Sequence, residues 1–167
     1  MPHKDSVMQP ETGWMRDLAL EHLSFLAAHP SIANLSTFHA RHKLLLMCYH
    51  QEMMRQCGRI ASNSAGISLP ELLEMYGNQF RKTVFTHPKQ SNIINALYHG
   101  YGWISEQLSA SEKQFFLAVV EAYRHDDSSL DSVRRLLKSY ADRLQHDYLG
   151  SQALLNPYAK DTCKFSS

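Results

Sequence analysis

The chain has 167 residues, 44% of them hydrophobic and 20% charged, with a formal net charge of +1 and a mean hydropathy of −0.37. A chain near this size buries roughly 70% of its unfolded surface, so it can hold one cored domain, and this composition excludes a disordered or fibrous protein. No apolar run approaches the roughly 18 residues of a membrane span. Residues Met1–Ser6 lead into no apolar signal segment, and Cys48, Cys57 and Cys163 form no CxxC pair, so a secreted disulfide scaffold and a zinc ribbon are excluded and a cytoplasmic location is expected.

Helical periodicity and helix start signals recur along the chain, and no period-2 stretch bounded by turn residues appears. A first helix is expected from about Gly13 to Ala28, ahead of Pro30. A long second helix is expected from about Ser36, a plausible N-cap, to Ser62, broken by Asn63–Gly66. The third follows Ser68, with Pro70 in its first turn and Glu71 at the capping-box position, and runs to about Thr86. The fourth covers about Gln90 to Gln107, on an apolar stripe of Ile94, Leu97, Tyr101, Ile104 and Leu108. Ser109-Ala110-Ser111-Glu112 is a capping box that opens the fifth, to about His125. The sixth covers about Ser129 to His146, and a short turn near Leu149–Leu155 precedes Asn156-Pro157. The expected architecture is therefore all-α: one compact domain of about six to seven helices over residues 13–158, with tails at 1–12 and 159–167.

Charge is unevenly distributed. Residues 36–103 carry Arg41, Lys43, Arg55, Arg59, Arg81, Lys82 and Lys89 against Glu52, Glu71 and Glu74, a balance of +4, and six of the ten histidines lie between positions 29 and 99. As one continuous helix, the second element places Phe38, His42, Leu45, Tyr49, Met53 and Ile60 on a core face. His39, Lys43 and His50 form a second stripe, and Arg41, Arg55 and Arg59 a third, roughly opposite the histidines. Guanidinium forks match phosphate geometry, so Arg55 and Arg59 are candidates for a phosphate clamp; an ordinary solvated face is the alternative.

His39 and His42 diverge on the helix, with no HExxH or Glu-x-x-His beside them, so no metal site is expected. Asn95 and His99 are four apart on the fourth helix, where the amide can fix one imidazole nitrogen. Gly102 continues that stripe and implies a close backbone approach or a bend. Tyr98, Tyr101 and Trp103 cluster beside them, and such aromatics can stack on unpaired bases or, more often, fill a core. No GxSxG or P-loop is present, and Cys48 and Cys57, among apolar neighbours, are expected to be buried and inert.

Four blocks in order give the chain a resemblance to the YbgA-like family of bacterial domains, over about Leu35 to Tyr158. They are Phe38-His39-Ala40-Arg41-His42-Lys43-Leu44 with Arg55 and Gly58-Arg59; Asn95-Ala96-Leu97-Tyr98-His99 with Gly102-Trp103-Ile104; Leu108 to Lys113; and Leu155-Asn156-Pro157-Tyr158. Tyr49 and Ile93 stand where the family pattern leads one to expect histidine. The resemblance implies a domain found alone, often in bacterial settings with photolyase, or fused behind an iron–sulfur desulfidase-like domain that acts on 4-thiouridine in tRNA. In the fused proteins the YbgA-like part is taken to hold the tRNA. Three scattered cysteines cannot reproduce the cluster-binding half.

The function expected from these readings is an accessory domain binding nucleic acid, a tRNA-like RNA, linked to thionucleotide metabolism or a stress or photodamage response. Arg41, Lys43, Arg55, Arg59, His50, Asn95, His99 and Trp103 are its candidate RNA- and phosphate-binding residues. No cofactor is expected, and partners would be structured RNA or a separate desulfidase or repair protein, with no membrane. One alternative is a small enzyme on a nucleotide or modified base, with His39 or His99 as general acid or base. Another is a helical adaptor for a desulfidase or repair enzyme.

Overall fold

Local start signals set most helix boundaries. The Ser109 hydroxyl accepts from Glu112 N at 3.1 Å while the Glu112 carboxylate accepts from Ser109 N at 3.4 Å, the reciprocal box the sequence announces. Ser31 and Ser129 cap in the same way, each accepting from the backbone N–H three residues on. A computed structural model describes residues 11–158. They form α1 (Gly13–Ala28), α2 (Ile32–Tyr49), α3 (Gln51–Ser62), α4 (Leu69–Val84), α5 (Gln90–Gly102), a 3₁₀ turn (Ser105–Gln107), α6 (Ala110–Arg124), α7 (Leu130–Arg143) and the single-turn α8 (Asp147–Gly150). Among the described residues there is no strand, and no helix is long and apolar enough to cross a membrane. The fold is all-α, with eight α-helices among the described residues where about six to seven were expected.

The extra helix comes from a break inside the expected second element. His50 takes an extended conformation (φ −164°, ψ 111°), closes α2 with its N–H on Leu46 O, and caps α3 by accepting from Met53 N at 3.2 Å. Nothing but this one residue joins the two helices. α3 folds back along α2, as the placement of Gly58 against the His39 ring shows. The inward face of α3 accordingly starts on Met54 and Cys57, which are buried, whereas Met53 and Ile60 of the expected continuous face are only half-buried. α2 also starts earlier than expected, at Ser31 rather than Ser36.

α2 is the central helix and packs on α1, α3, α4 and α5. Its run Leu44–Tyr49 is buried at every position, as a helix surrounded by others must be. Tyr49 and Ile93 both belong to this core, joined by the Asn92 amide donating to Tyr49 O at 3.0 Å. Cys48 and Cys57 are buried thiols; burial pushes the Cys57 pKa up to about 11 and that of Cys48 further. Of the expected tails, residues 1–10 and 159–167, Cys163 included, lie outside the described residues. Glu11 and Thr12 are not tail: the Glu11 carboxylate accepts from Leu130 N, its carbonyl accepts from Trp14 Nε1 at 2.9 Å, and Thr12 is buried.

α5 ends at Gly102 instead of running to Gln107. A Cβ at Gly102 would meet open space, so no backbone approaches there. The close approach is two residues earlier, where a Cβ on Gly100 would lie 3.0 Å from methyls of both Leu44 and Leu149 and 3.3 Å from Leu137. Gly100 thus lets α2 and α8 close on α5. We expect Gly100→Ala to lower stability by about 1 kcal/mol in urea titration, because overpacking costs about 1–3 kcal/mol against the roughly 1 kcal/mol helix gain. Gly102→Ala, which has space, should be neutral or stabilising; equal effects at the two positions would refute the packing account.

Candidate functional site

The fold-back of α3 on α2 makes a groove of about 670 Å³. Ser36, His39, Ala40, Lys43 and Met47 face it from α2, at spacings of three and four. Gln51, Met54, Arg55, Gly58, Arg59 and Ser62 face it from α3 with the same periodicity. His99 of α5 and Tyr148 of α8 close one side. None of the described residues lining it is acidic. Two further depressions among the described residues are mixed in charge. One sets Arg134, Arg135 and Lys138 beside Asp131 and Asp142; the other sets Arg41 and Lys138 beside Asp142 and Asp147.

The break at His50 therefore gathers what a continuous helix would separate: Arg55 and Arg59 share one groove with His39 and Lys43 instead of lying opposite the histidines. Their charge is presently occupied by a neighbour. Glu52 bridges both, at 2.7 Å to Arg59 and 3.5 Å to Arg55, and the hydrogen bond from Arg59 holds its carboxyl below the usual range. The two arginine side chains are 57% and 62% exposed, so this pairing is a weak surface one that a phosphate can displace.

His39 is the most fixed groove residue. Its Nδ1 lies 3.0 Å from the hydroxyl of the buried Tyr76, and its Nε2 sits over Gly58. Burial, and secondly the Lys43 charge, push its pKa down to about 4, so the imidazole is neutral at neutral pH. The Tyr76 pKa is pushed well above its ordinary value by burial. This protonated phenol has Nδ1 as its hydrogen-bond partner among the described residues, so it satisfies its hydroxyl hydrogen by donating there, which puts the ring hydrogen on Nε2. Gly58 has no side chain because Nε2 would stand 3.0 Å from its Cβ.

The remaining candidates divide. Trp103 lies just beyond the lining, with Lys43 Nζ 5.9 Å above its ring and Tyr148 at 4.9 Å between ring centroids. Asn95 bonds Gln51 Oε1 at 3.1 Å, so it positions a groove residue rather than the His99 imidazole. His50 is spent on the α3 cap. Arg41 is buried, with its Nε 3.4 Å from Ser151 O, and opens on the mixed-charge depression by α7 and α8. Tyr101 stacks on Phe116 (4.5 Å, 4°) and Tyr98 packs edge-on to the same ring, so both serve the contact with α6. Sequence reasoning missed Gln51, whose place in the groove depends on the break at His50, and Tyr76 and Tyr148, which come from elements brought in only by the tertiary fold. Glu52 was counted only as a charge; its position three and seven residues before the arginines was the available signal.

Among the described residues no group of three or more His, Cys, Asp or Glu side chains is placed to hold a metal ion. The groove's chemistry is that of anion recognition: three long cationic side chains, a neutral oriented imidazole and a second imidazole.

A family model described as a protein of unknown function (DUF1722) matches residues 43–159, which takes in Lys43, Arg55, Arg59, His99, Trp103 and Tyr148. The uncharacterized protein YbgA of Escherichia coli (strain K12) is 27% identical over 143 residues, covering 83% of each chain. No solved structure matches the chain.

Proposed function

We propose that this chain, which belongs to the DUF1722 family, is a nucleic-acid-binding accessory domain that holds a structured, tRNA-like RNA by its phosphates in the α2–α3 groove. The observation that carries the reading is the gathering of Lys43, Arg55, Arg59, His39 and His99 in one groove, where Glu52, paired with the two arginines at its edge, leaves a cationic excess. The overall charge of +1 does not oppose it, because residues 36–103 carry a balance of +4 and the excess is local to that part of the chain. The link to thionucleotide metabolism rests on the family resemblance alone.

The test is fluorescence anisotropy of labelled bulk tRNA with the full chain at two salt concentrations, using tRNA with and without 4-thiouridine. Binding that weakens steeply with salt is expected, since phosphate neutralisation releases counterions. A preference for thiolated tRNA would support the link to a desulfidase in trans. No binding at low salt overturns the reading. The Tyr76–His39 contact favours one second reading, an acid–base enzyme in the same groove, since it holds a neutral imidazole in a fixed tautomer. Turnover of a nucleotide that His39→Gln abolishes would select it.

A further inference from the structure

We infer that Trp103 and Tyr148 form a stacking platform for one unpaired nucleobase at the end of the groove, so that the site takes single-stranded or flipped-out nucleotides in preference to continuous duplex. The inference rests on the groove's reading as a nucleic-acid site and adds which part of a nucleic acid enters it.

The aromatic residues of the domain have different tasks. Trp14 carries the Arg134 guanidinium on its face at 4.4 Å, and Phe85 carries that of Arg16 at 4.9 Å. Tyr98 and Tyr101 are engaged by Phe116. Trp103 and Tyr148 meet each other at 59° and stand beside the cationic row, Tyr148 still 39% exposed and lining the groove. Their placement is rigid. Trp103 closes the C-terminal end of α5, one turn beyond His99. Tyr148 belongs to a single helical turn, but its neighbour Leu149 is fully buried and lies against Gly100, which pins that turn to α5.

Lys43 connects the two chemistries. It lines the groove with the arginines and lies 5.9 Å above the Trp103 ring. A phosphate held at Lys43 therefore places the base of the same nucleotide beside the two rings. Every base has a π-face, so such a platform is tolerant of sequence. It is selective for strandedness, because a base within a duplex has both faces covered by its neighbours.

The chain has two tryptophans, so Trp14→Phe leaves Trp103 as the sole indole reporter. Three probes would be titrated: a short single-stranded RNA of mixed sequence, the same strand annealed to its complement, and inorganic polyphosphate, which has the charge but no base. The expected result is quenching of Trp103 by the single strand only, with weaker binding of the duplex. Tyr148→Leu, at an exposed position, and Trp103→Leu should each weaken the single strand about tenfold, the size of one lost base–aromatic stack, and weaken polyphosphate distinctly less. Trp103→Phe should retain most of the affinity. Equal affinity for single strand and duplex, with no change in Trp103 emission and no loss in Tyr148→Leu, would overturn the platform while leaving the salt-dependent groove standing. Failure of every polyanion to bind would overturn both.

Discussion

Reversing the two groove arginines, Arg55→Glu with Arg59→Glu, is expected to lower affinity for tRNA at low salt by about two orders of magnitude or more and to reduce the salt slope by about 2, one for each lost phosphate contact. Both side chains are mostly exposed, and neither is in the core, so the fold should survive. The main structural effect is an acidic residue in the last turn of α3, worth about 0.3–1 kcal/mol against the helix dipole, which circular dichroism and thermal melting will show to be minor. The opposite result is expected from Glu52→Gln. That carboxylate occupies both guanidinium groups, and a phosphate must compete with it. Neutralising it should tighten tRNA binding and steepen the salt slope. Lys82→Glu with Lys89→Glu, both exposed and outside the groove lining, makes the same change in net charge, serves as its control and should change little. If this pair weakens binding as much as the arginine reversal, the interaction follows total charge and the groove is not its site.

The opposite signs expected from Arg55/Arg59 and Glu52 depend on a geometry that the sequence concealed. Composition and periodicity located most helices, because Ser109 and Ser129 cap with ordinary chemistry and the apolar stripes have helical spacing, although Ser31 rather than Ser36 caps α2. His50 gave no such signal. It is neither proline nor glycine, it lies between Tyr49 and Gln51 in a run that reads as continuous helix, and histidine is not a usual N-cap. Its extended conformation is set by the tertiary arrangement, in which the wholly buried end of α2 must stop so that α3 can fold back over it. Lys43, Arg55, Arg59 and His99 line one groove, with Trp103 beside Lys43, whereas the sequence groups them only by composition, as polar residues concentrated on two elements. Arg41 shows the limit of that reasoning. It is one residue from His42 and two from Lys43, but the C-terminal segment covers it: its carbonyl accepts from Ala153 N at 2.8 Å, and the buried Gln152 amide spans Ala40 O and Leu44 N. Such a contact, more than a hundred residues away in sequence, has no local signature.

Acid sensitivity is the second large expected effect, and it originates in a histidine pair behind the groove. His42 Nδ1 donates to Phe38 O at 2.7 Å, so its Nε2 is the acceptor and receives the hydrogen on His22 Nδ1 at 2.8 Å. The His42 ring stacks on Phe38 at 4.0 Å and meets Phe80 edge-on, with no water-facing edge. Burial, and next the His22 imidazole, push its pKa down to about 3; Arg41 and His39 add to the shift, while the Phe38 carbonyl opposes it. Burial lowers His22 as well, with Arg41 acting in the same direction and Glu21 and the Pro157 carbonyl against it. The unfolded chain holds these imidazoles near pH 6.5, so below that pH it binds more protons than the native state. Stability is therefore fully present above about pH 6.5 and is lost as pH falls toward 4 and 3, by up to about 1.4 kcal/mol per pH unit for each fully depressed histidine. Urea titrations at pH 7.5 and 5.0 should show this loss directly. His42→Leu alone should be destabilising at pH 7.5 by about 1–3 kcal/mol, since it leaves the His22 N–H buried without its partner. His22→Leu with His42→Leu removes that orphan and both titrating groups. The double variant should recover stability relative to His42→Leu and lose less between pH 7.5 and 5.0 than the wild type, retaining chiefly the part due to His39. A double variant with the full wild-type pH dependence would move the acid sensitivity to other groups.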